Sequence, residues 1–185
     1  MILFINACVR TQSRTKKIAE KLLEKLDDKV TEVRLSEEKF PETNEEFLGK
    51  RDGFIAAGNF EDPYFDLAKQ FAKADTIVIA APYWDLSFPA VLKQYIEHIN
   101  VLGITFEYSA EGIPIGLCKA NKLYYVMTAG GSYVPEEFGF GYVKALAQNF
   151  YGIKDVELIK VTDLDIQGND AEAIIQNCIF GLINK

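Results

Sequence analysis

The chain has 185 residues, 49% hydrophobic and 25% charged, which is the balance of a soluble globular protein and the size of one domain, residues 1–185. A net charge of −7 and a pI near 4.9 exclude the basic face that a nucleic-acid partner needs. No stretch approaches the ~20 apolar residues of a membrane span. The chain opens directly on a strand pattern, with no cleavable leader visible.

Cys8, Cys118 and Cys178 lie far apart, without CxxC spacing. Such an odd, scattered set reads as reduced thiols of a cytoplasmic protein and argues against a disulfide framework, an iron–sulfur cluster or a zinc site. His98 is the only histidine and has no partner motif, so it reads as a surface or packing residue rather than a ligand.

Residues 2–7 (I-L-F-I-N-A) form a first strand, and residues 8–15 a polar loop. Ile18, Ala19, Leu22, Leu23 and Leu26 then make one apolar helical stripe, with Lys16, Lys17, Glu20, Glu24 and Lys25 opposite. Residues 29–35 fit an edge strand. Residues 36–53 are charged and irregular, a surface excursion with a short helical patch around Asn44 to Lys50. A helix from about Pro63 to Ala74 leads into D-T-I-V-I-A-A at 75–81, an unbroken β-branched run suited to a strand buried on both faces. Pro82, lacking an N–H, ends its ladder.

Leu92, Tyr95, Ile96 and Ile99 mark the next helix, 89–99. Residues 103–108 and 112–116 form a hairpin-like insertion. A strand at 121–128, a helix at about 142–151, a strand at 155–162 and a helix from Ala171 to Leu182 complete the chain. The alternation predicts an α/β fold, a flavodoxin-like doubly wound five-stranded parallel sheet of order 2-1-3-4-5, with helices on both faces.

In such a sheet the loops after strands one, three and four meet at the carboxyl edge. The first carries Thr11, Ser13, Arg14 and Thr15 at a helix start, where hydroxyls and free N–H groups suit a phosphate and Arg10 adds positive potential. Simple N-capping by Thr11 or Ser13 is compatible with that role. No G-x-G-x-x-G follows the first strand, which disfavours a dinucleotide pyrophosphate and favours a monophosphate. The second loop supplies Pro82, Tyr83, Trp84, Asp85 and Leu86. Its aromatics are either core or interface residues, or a flat apolar wall with backbone donors for an isoalloxazine ring. The third, Thr128-Ala129-Gly130-Gly131, is either a plain turn or a set of N–H donors that favour negative charge near the pyrimidine edge of a flavin. Together the three loops read as an FMN site.

Several of these residues carry a family resemblance: Ser13-Arg14-Thr15, Pro82 to Leu86 with Pro89 and Leu92-Lys93, Gly103 to Tyr108, Gly116-Leu117 before Lys119, and Thr128 to Gly131. Tyr151 to Val156 is a weaker echo. The chain resembles the FMN-dependent NAD(P)H:quinone reductases and azoreductases of flavodoxin-like fold over nearly its whole length, most specifically from 82 to 131. The resemblance implies a homodimer with FMN near each subunit boundary. It also implies ping-pong two-electron transfer from NADH or NADPH to a quinone, azo or similar small aromatic acceptor. Tyr133, Phe138, Phe140 and Tyr142, with Tyr64 and Phe65, are then candidates for the dimer and substrate surfaces.

Asp85 stands where the family usually has Asn, and Leu86 where it usually has Phe. An ionised Asp85 near the ring would disfavour an anionic reduced flavin. The chemistry belongs to the cofactor, so no side chain is assigned as acid, base or nucleophile.

Two other functions remain open. Cys8 to Thr15 has C-x5-R-[ST] spacing and resembles the phosphate loop of low-molecular-weight tyrosine phosphatases, with Cys8 as nucleophile and Arg14 as phosphate grip. The loop lacks the glycine or asparagine of that motif, and the only Asp-Pro pair is Asp62-Pro63. The second is a flavodoxin-like electron carrier without turnover.

Overall fold

The computed structural model describes residues 1–184. Five strands form one parallel sheet: β1 (Ile2–Asn6), β2 (Val30–Arg34), β3 (Thr76–Ala80), β6 (Lys122–Thr128) and β7 (Asp155–Val161), in the order β2-β1-β3-β6-β7. Counting sheet strands alone, this is the predicted 2-1-3-4-5 order. The other two strands, β4 (Phe106–Tyr108) and β5 (Pro114–Gly116), pair antiparallel as the expected inserted hairpin.

Alternation along the strands divides the core in two. Leu3, Ile5, Ile77, Ile79, Leu123 and Tyr125 face α3 (Asp66–Lys73), α4 (Ala90–Ile99) and α5 (Phe140–Asn149). Ile2, Phe4, Val78, Ala80 and Val126 face α1 (Arg14–Leu26) and α6 (Ala171–Ile183). Both faces of β1 and β3 are therefore dry, the reason their sequences show no polar alternation. Burying each such side chain contributes roughly 1.5–3 kcal/mol.

Helix ends follow local chemistry. Ser13 caps α1, its Oγ accepting from the Lys16 N–H at 3.3 Å, and Asp170 caps α6 through the Ala173 N–H at 3.0 Å. Asn44 caps α2 (Glu45–Ala56), accepting from the Phe47 N–H at 3.0 Å. The predicted patch at 44–50 is thus the start of a twelve-residue helix. Gly49 and Gly53 and the lack of an apolar stripe hide the rest, which Phe47 and Phe54 hold by ring contacts with Tyr64 at 5.1 and 5.7 Å. Helix α5 starts two residues earlier than expected, at Phe140.

Three expectations need correction. Phe65 is 1% exposed and so belongs to the core rather than to an open surface, while the half-buried Tyr64 donates its hydroxyl to the Phe47 carbonyl at 2.8 Å and anchors α2. Phe140 is likewise buried. Pro82 does not end the ladder toward β6: Ala81 N–H donates to Val126 and Tyr83 N–H to Thr128, both at 3.0 Å. In a parallel sheet successive N–H groups alternate between neighbours, and the missing donor at Pro82 falls on the β1 side, where β1 has already finished.

His98 packs between the rings of Phe40 and Phe47, each centroid 4.9 Å away. The hairpin is seated by close backbone approach, since a Cβ on Gly116 would lie 2.2 Å from the Gly152 nitrogen. Among the described residues no helix is long and apolar enough to cross a membrane.

Candidate functional site

The carboxyl ends of β1, β3, β6 and β7 border a cleft of about 630 Å³, part of it open to solvent. Ser13, Arg14, Thr15, Pro82, Tyr83, Trp84, Thr128 and Gly130 line it, together with Val9, Arg10, Gln12 and Asp165. Asp85, Leu86, Ala129 and Gly131 do not line it. Ala129 is 5% exposed, and its N–H donates to the Val161 carbonyl at 2.8 Å, so its backbone belongs to the sheet.

At one end of the cleft, the first turn of α1 contains no acid and begins with Arg14. The N–H groups of Arg14 and Thr15 have no intrahelical acceptors, and the helix dipole favours an anion there. The Thr15 and Thr128 hydroxyls are 2.7 Å apart and buried, tying the first loop to the third.

Along the middle runs a tight turn. Trp84 N–H donates to the Ser87 carbonyl at 3.0 Å and Ser87 N–H to the Trp84 carbonyl at 2.7 Å. Asp85 has φ +49° and Leu86 φ +67°, the two positive values of a type I′ turn. Asp tolerates this conformation; a branched Leu does so only with strain. Among the described residues, neither the Asp85 nor the Leu86 N–H meets an acceptor within the chain. Trp84 and Leu86 are 37% and 44% exposed. Tyr83 donates its hydroxyl to the Pro135 carbonyl at 3.2 Å and Ser87 its hydroxyl to the Phe138 carbonyl at 2.7 Å, pinning the 132–139 segment beside the turn. Desolvation, then the nearby Tyr133 and Glu137, raise the Tyr83 hydroxyl pKa. Tyr133 and Phe138 stand out into solvent at 81% and 60% exposure.

Next to Arg14, the Gly130 carbonyl accepts from Asp165 N–H at 2.9 Å, and a Cβ on Gly130 would lie 2.2 Å from Asp165 Oδ2. A side chain at position 130 would therefore displace the Asp165 carboxylate from where it sits. Arg14 donates to Asp165 Oδ1 at 2.9 Å and to the Leu164 carbonyl at 3.2 Å. Asp163 accepts from the Ser132 and Thr162 hydroxyls, which hold its carboxyl below the usual range. This β7–α6 loop is a fourth wall that the three-loop reading omitted; its signal was present, because β7 ends at the same rim as β3 and β6.

Cys8, at the base of the first loop, is 7% exposed and its thiol contacts the Ala80 carbonyl at 3.6 Å. Burial raises its pKa against the lowering influence of Ser13 and Lys16.

The geometry suits a ligand with an anionic tail and a flat ring. The protein family of flavodoxin-like fold matches residues 1–179. The FMN-dependent NADH:quinone oxidoreductase of Clostridium perfringens is 36% identical, over 96% of this chain and 93% of its own. The enzyme of the same name from Clostridium beijerinckii is also 36% identical, with the same coverage. The chain belongs to this family. Among solved family structures, the azoreductase of Bacillus anthracis superposes with a TM-score of 0.82 at 28% identity, covering 99% of this chain and 96% of that one.

FMN, the cofactor in those relatives' names, matches the groups this chain presents. The α1 terminus offers N–H groups, the Ser13 hydroxyl and a guanidinium to a phosphate. Tyr83 and Trp84 offer a flat wall, and the 85–86 turn next to it leaves two N–H groups without acceptors in the described chain.

Proposed function

We propose that this protein is an FMN-dependent NADH:quinone oxidoreductase, one domain spanning residues 1–185, acting also on azo or similar flat aromatic acceptors. The observation that carries the reading is the cleft, where an acid-free helix terminus and an aromatic-bearing turn border one space. The relatives' names agree with it.

Ser13, Arg14 and Thr15 hold the phosphate through N–H groups, the Ser13 hydroxyl and the Arg14 guanidinium. Pro82, Tyr83 and Trp84, which line the cleft, form the ring wall, and Asp85 and Leu86 continue it on the exposed turn beyond, with N–H groups available to a ring edge. Thr128, Ala129, Gly130 and Gly131 form the opposite rim, their contribution coming from Thr128 and Gly130, which line the cleft. FMN, when bound, supplies two-electron chemistry, accepting a hydride equivalent from NADH and passing two electrons to the acceptor in a ping-pong cycle. The exposed faces of Trp84, Leu86, Tyr133 and Phe138 stack donor and acceptor in turn and exclude water from the contact.

The few scattered cysteines and the acidic net charge accord with a cytoplasmic protein, and the exposed apolar residues of the hairpin and the 133–138 segment with a homodimer. A phosphatase fits less well, because Cys8 is buried and its burial raises the thiol pKa, which disfavours the thiolate nucleophile.

The test is anaerobic titration of the FMN-loaded protein with NADH, followed by a benzoquinone. Bleaching of the yellow colour and its return on adding quinone, with steady turnover, is the expected result. A colourless protein indifferent to FMN overturns the proposal, whereas bleaching without catalytic turnover would make the protein an electron carrier.

A further inference from the structure

The β7–α6 loop carries a carboxylate that the mechanism above does not use. Asp165 and the Leu164 carbonyl together engage both terminal nitrogens of Arg14, at 2.9 and 3.2 Å. One edge of the guanidinium is thus fixed, and Nε with the outward protons remains available. The other carboxylate oxygen of Asp165 fills the space beside Gly130, and Asp165 N–H bonds the Gly130 carbonyl at 2.9 Å. A single residue therefore joins the loop after β1 to the loop after β6, and both line the cleft. Arg14 sits at the first position of α1, where a cation opposes the helix dipole, so its placement needs a partner.

Resting on the FMN reading, we propose that Asp165 is a positioning residue for the flavin phosphate. It turns the Arg14 guanidinium toward the cleft and thereby sets the preference for a phosphorylated flavin over riboflavin. Two effects oppose each other. The Asp165 charge repels a phosphate, while its grip removes the rotamer freedom of a long side chain before the ligand arrives. The repulsion is screened, because the Asp165 side chain is 66% exposed. Orientation is not screened by salt, and it prevails.

The experiment measures FMN and riboflavin affinity by quenching of flavin fluorescence, with circular dichroism and thermal unfolding as fold controls. Asp165→Ala weakens FMN roughly tenfold, the size of one charge-assisted contact, and leaves riboflavin within about twofold. Asp165→Asn, whose amide oxygen still accepts from Arg14, keeps most of the FMN affinity. Gly130→Ala, which drives the carboxylate off Arg14, weakens FMN in the wild-type background and adds little to Asp165→Ala.

Equal losses for both flavins, tighter FMN binding by Asp165→Ala, or a wild-type protein that binds FMN and riboflavin alike would each overturn the positioning role while leaving the oxidoreductase reading standing. A wild-type protein that binds neither flavin overturns that reading and this proposal with it.

Discussion

Leu86 holds φ +67° on a turn whose two hydrogen bonds leave it no alternative. A branched residue in the left-handed region costs about 1–2 kcal/mol, and glycine returns part of that gain through its freer unfolded chain. Leu86→Gly should therefore stabilise the flavin-free protein by about 0.5–1 kcal/mol in urea unfolding. It should also raise the KM for a flat acceptor, because apolar surface leaves the rim. Unchanged stability would mean that the turn relaxes elsewhere.

Asp85 occupies the neighbouring position, exposed, beside the proposed ring edge. Removing an exposed charge worth under ~1 kcal/mol changes a two-electron couple by about 10–20 mV. The FMN midpoint potential of Asp85→Asn should rise by that amount, since the reduced flavin no longer faces a carboxylate. A potential equal to wild type would place Asp85 too far from the ring to matter.

Between elements, the Thr15–Thr128 hydroxyl pair is the buried joint that fixes α1 against β6. Thr15→Val or Thr128→Val alone strands one buried hydroxyl and should cost about 1–2 kcal/mol; the double variant should cost less than the sum. Additive losses in chemical denaturation would show that each hydroxyl has another partner.

What could be read from the chain at this scale depended on how local each signal was. The buried run at 75–81 and the stripe of α1 declare themselves within a few residues, and the sheet order followed from them. Helix α2 did not, because Gly49 and Gly53 interrupt its propensity and its packing comes from Tyr64. The rim position of the β7–α6 loop was legible, but the Arg14–Asp165 pair was not: the two lie 151 residues apart, and nothing near either in sequence advertises the contact. Pro82 misled because a missing donor matters only on the side where a neighbour strand is present.

Across the whole molecule, the amino end of the sheet is fastened by charge. Asp75 accepts from Lys119 at 2.5 Å and from the Met1 ammonium at 2.8 Å; with Lys119 the larger influence, its carboxyl is lowered to about 2. A carboxyl lowered by folding contributes stability that is fully present above its ordinary value and is lost as pH falls through about 2. Thermal unfolding of the wild type should therefore decline over that acid window. In Asp75→Asn part of that decline should be gone, with little difference in slope near neutrality. Parallel wild-type and variant curves throughout the acid range would show that Asp75 titrates alike in both states.

The turn at 84–87 closes on its own backbone and is stapled to the 132–139 segment through Tyr83 and Ser87. A wall that stands ready spares an incoming molecule any waiting time. In stopped-flow mixing, the observed rate of FMN capture should then climb in direct proportion to FMN concentration, with no ceiling set by a slow opening of the chain.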